Sequence, residues 1–251
     1  MLDLIFQFWY LWLLVLLVAL FRWFKPSIKG WVGEKTVAAC LAMLPKEEYY
    51  LYSDLMLPTN TGTTQIDHIV VSLYGIFVIE VKNYRGWIFG NEKSAQWTQN
   101  IYGKKNYFMN PIHQNYAHIK ALETILKQYS DSKIISIIAF SPGCDLKVNT
   151  TSHVTYFHRL SSLIRNYSEK VLEKSDMDKI ATLLTEQNIS SPDAKKDHID
   201  MIINKKTEMS RLTVGSKCPK CSGIIVERQG KYGSFLGCSN YPKCRFTKQQ
   251  V

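Results

Sequence analysis

Four cysteines near the C-terminus impose the strongest constraint on this 251-residue chain. They stand as Cys218-Pro219-Lys220-Cys221, then Cys238 and Cys244, with two, sixteen and five residues between successive cysteines. A pair two apart makes a tight turn from which two thiolates reach one ion, and the second pair closes a tetrahedral Zn²⁺ site. Four thiolates leave no open position, so the zinc is structural. A unit of about forty residues has too little core to fold alone, and metal binding supplies much of its folding free energy. The other two cysteines, Cys40 and Cys144, stand apart from this cluster. That distribution excludes a secreted disulfide framework and points to a reducing compartment.

The formal charge of +10 is concentrated in the same region. Residues 211–251 hold eight Lys/Arg against Glu227 alone, a net +7, while residues 1–30 carry +2 and the whole middle about +1. A basic patch of this kind reads as a site for a polyanion.

The N-terminus has a different character. Residues 4–21 are apolar except for Gln7. As a helix they span about 27 Å, close to the thickness of a bilayer core. Trp9, Tyr10, Trp12 and Trp23 supply interfacial aromatics. Asp3 precedes the run and Arg22, Lys25 and Lys29 follow it, the reverse of a cleaved signal peptide. The pattern predicts a single-pass anchor over residues 1–25, with the lipid bilayer as partner and everything after residue 25 in the cytoplasm.

Pro26 separates this run from a predicted helix over residues 29–44 that ends at Pro45, with Val37, Leu41 and Leu44 on one stripe. Residues 49–57 read as a strand and 58–64 as a polar loop. Two β-rich runs between Thr64 and Asn83 flank a short turn and form a hairpin. Both runs are apolar on both faces near the turn, as in a sheet covered on both sides. Into that sheet the sequence places Asp67, Glu80 and Lys82. A loop at Leu73-Tyr74 sets Asp67 opposite Glu80, and a loop at Tyr74-Gly75 sets it opposite Lys82. Either way the three share one face, whereas a three-residue loop would send Asp67 to the other. Buried charges of this kind are costly without a task. One task is holding a hard cation, Mg²⁺ or Mn²⁺, which activates water and offsets charge on a phosphate. The other is an ion pair serving only the fold. Further on, strands are expected within residues 91–108 with a turn at Gly103, followed by a helix over 111–129 and a strand over 133–140. A last strand is expected over 154–157, with helices over 160–173 and 176–187. Residues 190–213 read as a charged, partly helical linker.

Gly33-Glu34-Lys35-x-Val37, Gln65-Ile66-Asp67-His68-Ile69 and Phe77-Val78-Ile79-Glu80-Val81-Lys82-Asn83-Tyr84 resemble the NERD (nuclease-related) domain. Gly86, Gln96-Trp97, Asn110-Pro111 and Gln114 fit it too. The likeness spans roughly residues 30–140, with 141–189 as an extension of that core. It implies an α/β fold of PD-(D/E)xK nuclease type, a mixed sheet flanked by helices. Asp67 and Glu80 would then hold the metal, Lys82 would be the catalytic lysine, and Glu34 and Gln114 would come from the two helices. The family's Pro before the Asp is replaced by Ile66 here, which removes no chemical group. His68 alternates away from Asp67 and reads as a packed histidine. His113 and His118 show no partner at metal-ligand spacing, and Trp87 and Trp97 read as core or rim packing.

Residues 230–244, Gly230 through Cys244, resemble the zinc finger at the C-terminus of bacterial type I topoisomerases. That likeness covers nearly all of residues 214–251 and implies contact with single-stranded DNA. Arg228, Lys231, Lys243, Arg245 and Lys248 suit phosphates; of the aromatics Tyr232, Phe235, Tyr241 and Phe246, Phe235 suits the finger's core and Tyr232 and Tyr241 are the stacking candidates. With the anchor, the resemblances place the chain at a bacterial inner membrane. Two functions follow: a membrane-anchored, metal-dependent nuclease acting on DNA, or a non-catalytic adaptor that tethers DNA to the membrane.

Overall fold

The computed structural model describes residues 9–59, 62–129, 132–189, 191–230 and 233–249. The chain divides into two compact units, residues 1–191 and 192–251.

The first unit opens with helix α1 (Trp9–Leu41). The expected break at Pro26 is absent. A proline deletes one N–H and strains one turn, but the bonds on either side can carry the helix through. The C-terminal part of α1 is fixed by burial of Val37 and Leu41. Among the described residues no helix is long and apolar enough to cross a membrane. The expected anchor falls largely outside what is described, since residues 1–8 and most side chains of residues 9–29 are not included.

Strands β1 (Tyr49–Thr59), β2 (Gly62–Ser72) and β3 (Gly75–Lys82) run antiparallel as two successive hairpins. Strands β7 (Ile134–Phe140) and β9 (His153–Tyr156) extend the sheet in parallel, giving the order β1-β2-β3-β7-β9. The polar stretch after Leu57 continues the first hairpin, because Thr-rich chains pair well on a sheet edge. Alternation sends Phe77, Ile79 and Val81 to one face with α1 and helix α3 (Leu160–Arg165). It sends Ile69, Val71, Ile76 and Val78 to the other, against helices α2 (Pro111–Ile125) and α4 (Lys174–Glu186). Covering on both faces explains why these strands lack polar positions until their far ends.

A second sheet has the order β6-β5-β4-β8, from β4 (Gly86–Asn91), β5 (Gln96–Ile101), β6 (Lys104–Met109) and β8 (Cys144–Asn149). Its inner face packs Ile88 and Trp97 against Ile138 and Phe140 of β7. Trp97 is thus a core residue, stacked on Phe140 at 6.1 Å between ring centroids.

The second unit consists of helix α5 (Pro192–Arg211) and a three-stranded sheet of β10 (Ile225–Gly230), β11 (Gly233–Cys238) and β12 (Thr247–Gln249). The expected linker is mostly this twenty-residue helix. Met209 and Leu212 at its end pack on the cysteine core, which anchors a segment whose charge alone suggested a tether.

Candidate metal centre and cysteine cluster

The β2–β3 turn takes the two-residue form, with Ser72 paired to Gly75. Gly75 has φ +136°, a conformation that favours glycine. Ser72 Oγ closes the turn by donating to the Gly75 carbonyl at 2.9 Å. Counting outward from this pair sets Asp67 opposite Glu80. The ladder stops just before them, at His68↔Ile79, while β3 stays paired with β7 through Lys82↔Phe140. On the other side of β2 the pairing also lapses opposite Asp67, where Asp54 adopts φ 58°. β2 therefore splays away from β3 where the acidic residues sit.

In place of a ladder bond, the Val81 amide donates to Asp67 Oδ2 at 2.7 Å. Lys82 Nζ donates to Glu80 Oε1 at 2.6 Å and to Gln114 Oε1 at 2.9 Å. The other Glu80 oxygen meets His118 Nε2 at 3.2 Å, and His118 Nδ1 meets Thr64 Oγ1 at 2.7 Å. Glu80 is 2% exposed. Burial opposes its charge, but His118 and Lys82 outweigh it and hold the carboxyl below the usual range. Burial also acts against the Lys82 ammonium, yet Glu80 beside it keeps its pKa above the ordinary value. Asp67 goes the other way: burial first, then the Glu80 carboxylate, push it up to about 8, and Glu34 adds to the rise. Burial and neighbouring carboxylates thus act together on Asp67, while Glu80 takes the cationic partners.

Glu34 arrives from α1. A Cβ on Gly33 would lie 2.7 Å from Asn83 Cβ, so the glycine permits the close approach that brings its neighbour to Asp67. Gln114 and His118 arrive from α2, one turn apart. That helix starts with Asn110 as N-cap, accepting from the Ile112 amide, and Pro111 at the first position. The Asn110 Nδ2 donates to the carbonyls of Asn91, Glu92 and Ser94 in the β4–β5 turn. Buried Asn115 Nδ2 ties the helix to the Val78 carbonyl and Ser136 Oγ.

In the second unit the four cysteine ligand atoms lie within 4.8 Å of one another. Cys218 and Cys244 Sγ are 3.8 Å apart, Cys221 and Cys238 3.3 Å. Four sulfurs at about 2.3 Å from one zinc have edges of about 3.8 Å, so the cluster fits the ion. Cys218, Cys238 and Cys244 are buried among Ile225, Leu236 and Phe246. Around them Lys243 and Arg245 are exposed, and Tyr241 is 61% exposed.

The model of the nuclease-related domain family, NERD, matches residues 29–141, and that of the topoisomerase DNA-binding C4 zinc finger matches residues 215–251. An uncharacterized protein of Bacillus anthracis is 43% identical over 185 residues, 72% of this chain and 86% of that protein. The chain carries a NERD domain. The finger alone is similar to DNA topoisomerase 1 of Helicobacter pylori, 42% identical over 55 residues, 22% of this chain and 6% of that enzyme. For DNA topoisomerase 1 of Methanocaldococcus jannaschii the figures are 57% over 61 residues, 23% and 8%. The chain thus spans only a small fraction of these topoisomerases. No solved structure matches.

The NERD domain brings together the five residues named from its motifs: Glu34, Asp67, Glu80, Lys82 and Gln114. Two further members of the network, His118 and Thr64, carried no signal of their own. The only available clue to His118 was its i+4 spacing from Gln114 on a helix. His68 is the packed histidine expected, 1% exposed, with Nδ1 at 2.9 Å from Ser53 Oγ and its pKa lowered to about 4 by burial.

In the finger two assignments change. Lys248 Nζ donates to the Ser210 and Leu212 carbonyls at 3.0 Å each, capping the end of α5, so its charge serves the fold. Phe246 is 6% exposed and belongs to the core, while Phe235 is half-buried. Arg228 donates to the Cys238 carbonyl at 3.0 Å and lies over the Tyr241 ring at 5.5 Å. Lys231 and Tyr232 lie outside the described residues.

Proposed function

We propose that this protein is a metal-dependent phosphodiesterase that cuts DNA, with its zinc finger as the DNA grip. The observation that carries the reading is the meeting of Asp67, Glu80 and Lys82 where β2 parts from β3. An all-oxygen set of carboxylates, with Asp67 raised by burial and then by the Glu80 carboxylate, suits a hard divalent cation, Mg²⁺ or Mn²⁺, held by Asp67 and Glu80 with Glu34 beside them. When bound, such an ion supplies charge neutralisation and a more acidic water. Lys82 remains an ammonium at neutral pH and donates to a phosphate oxygen, stabilising the charge that builds during cleavage. Gln114 fixes its direction, and His118 fixes Glu80. In the finger, Lys243 and Arg245 meet phosphates and Tyr241 stacks a base, a preference for single strands.

The N-terminal run is read as a membrane anchor that leaves both units on the cytoplasmic side. Its support is the apolar sequence of residues 4–21 and the exposure of Trp12, Leu13, Leu14, Val15, Leu16 and Leu17. Membrane fractionation of the full chain, with and without residues 1–25, checks it.

One observation favours the adaptor reading: both Glu80 oxygens already engage partners, Lys82 and His118. The full chain incubated with single- and double-stranded DNA and Mg²⁺ or Mn²⁺ separates the two. Cleavage that disappears in Asp67→Ala and Lys82→Ala, with circular dichroism unchanged, is the expected result. Cleavage unaltered in both variants removes the assigned site, and no cleavage on any substrate leaves the adaptor.

A further inference from the structure

The outer face of the second sheet is built from residues that a soluble surface normally avoids. Register places Trp87, Asn100 and Lys105 in one row, with Phe89, Thr98 and Tyr107 in the next. Trp87 is 54% exposed, Phe89 40% and Tyr107 65%. Trp87 and Phe89 sit edge to face with centroids 6.4 Å apart. Trp97 and Ile88, on the opposite side of the same strands, are fully buried, so the outward aromatics are surplus to the core.

We propose that this face is a second binding surface for single-stranded DNA, separate from the zinc finger. The inference rests on the reading that the chain handles DNA, though not on cleavage. Three features select this occupant. Arg85 and Lys105 border the aromatics, while Lys147 is paired with Asp145 at 2.9 Å, so the border carries a net positive charge that matches a phosphate backbone. The middle strand presents polar Thr98 and Asn100, which an apolar protein partner would leave unpaired, whereas bases carry their own donors and acceptors. Next to Trp87, a cleft of about 700 Å³ is lined by Arg85, Gly86, Asn100, Tyr102 and Gly103. Asn100 Oδ1 is buried without a hydrogen-bond partner among the described residues. Aromatic faces on a sheet with cations at the border accept successive bases regardless of sequence.

The test uses the full chain with zinc retained and no added divalent cation, so that binding is read without cleavage. A fluorescent oligothymidylate is titrated into wild type, Trp87→Ala, Tyr107→Ala and Tyr241→Ala. In parallel, an oligonucleotide carrying a photoreactive base is crosslinked and the adducts mapped. Crosslinks within β4 and β6, and binding weakened about tenfold by either sheet variant, are expected. Crosslinks confined to residues 215–251, with unaltered affinity in both sheet variants, overturn the proposal. So does a concentration-dependent dimer that Trp87→Ala abolishes, since the face would then be covered by a second copy. Failure of cleavage elsewhere leaves this result untouched.

Discussion

Gly33→Ala tests how tightly α1 is held against the strand ends. The new Cβ would lie 2.7 Å from Asn83 Cβ and 3.1 Å from Asn83 Nδ2. Carbon atoms in contact sit about 3.5–4.0 Å apart, so the helix or Asn83 must yield by about 1 Å. Overpacking of this kind costs about 1–3 kcal/mol. At roughly 3 °C per kcal/mol for a unit of this size, a loss of about 2 kcal/mol lowers the melting temperature by about 6 °C. The same displacement carries Glu34 away from Asp67, and a shift of about 1 Å near reacting groups lowers activity about a hundredfold. Chemical denaturation of wild type, Gly33→Ala, Asn83→Gly and the double variant provides the measurement. The double variant should recover part of the loss, because the offending contact is gone. If Gly33→Ala stays within about 0.5 kcal/mol of wild type, or the two losses simply add, the close approach is not what makes Gly33 necessary.

Removing zinc with a strong chelator, or substituting Cys238→Ser, should open residues 215–249 to protease while the melting of the NERD unit is unchanged; a protease-resistant apo finger would contradict a metal-dependent fold. Glu92 Oε1 accepts from the Thr151 and Ser152 amides and from the Thr150, Thr151 and Ser152 hydroxyls, and these bonds depress its pKa to about 2. A depressed carboxyl contributes stability above its unfolded value near 4.5 and loses it as pH falls through about 2. Faster amide exchange at Thr151 and Ser152 is therefore expected in Glu92→Gln at neutral pH, and unchanged exchange there would remove Glu92 as the loop's anchor.

Much of the site was legible because β alternation is strict. Whether Asp67 shares a face with Glu80 and Lys82 depended only on the loop length, and the Ser72–Gly75 pair sets it at two residues. His118 was not legible, because its partner Glu80 is 38 positions away and the pairing exists only after α2 docks on the sheet. Lys248 shows the converse error. By composition it is another cation in a basic tail, but the carbonyls it caps belong to a helix end that sequence reading treated as tether. The continuous helix through Pro26 was hidden for a related reason: a local breaker signal says what a residue costs, and packing elsewhere decides whether the helix bears it.

Asn110 has a consequence for how the molecule assembles. Its amide uses both ends at once, oxygen on the start of α2 and nitrogen on three carbonyls of the β4–β5 turn. Aspartate would preserve the first role and set a negative charge against three carbonyl dipoles in the second. One side chain thereby ties the helix bearing Gln114 and His118 to a turn of the sheet bearing Trp87 and Phe89. Losing that contact would leave the α2 start and three turn carbonyls without these bonds, so a change at the sheet turn reaches the helix that carries Gln114 and His118.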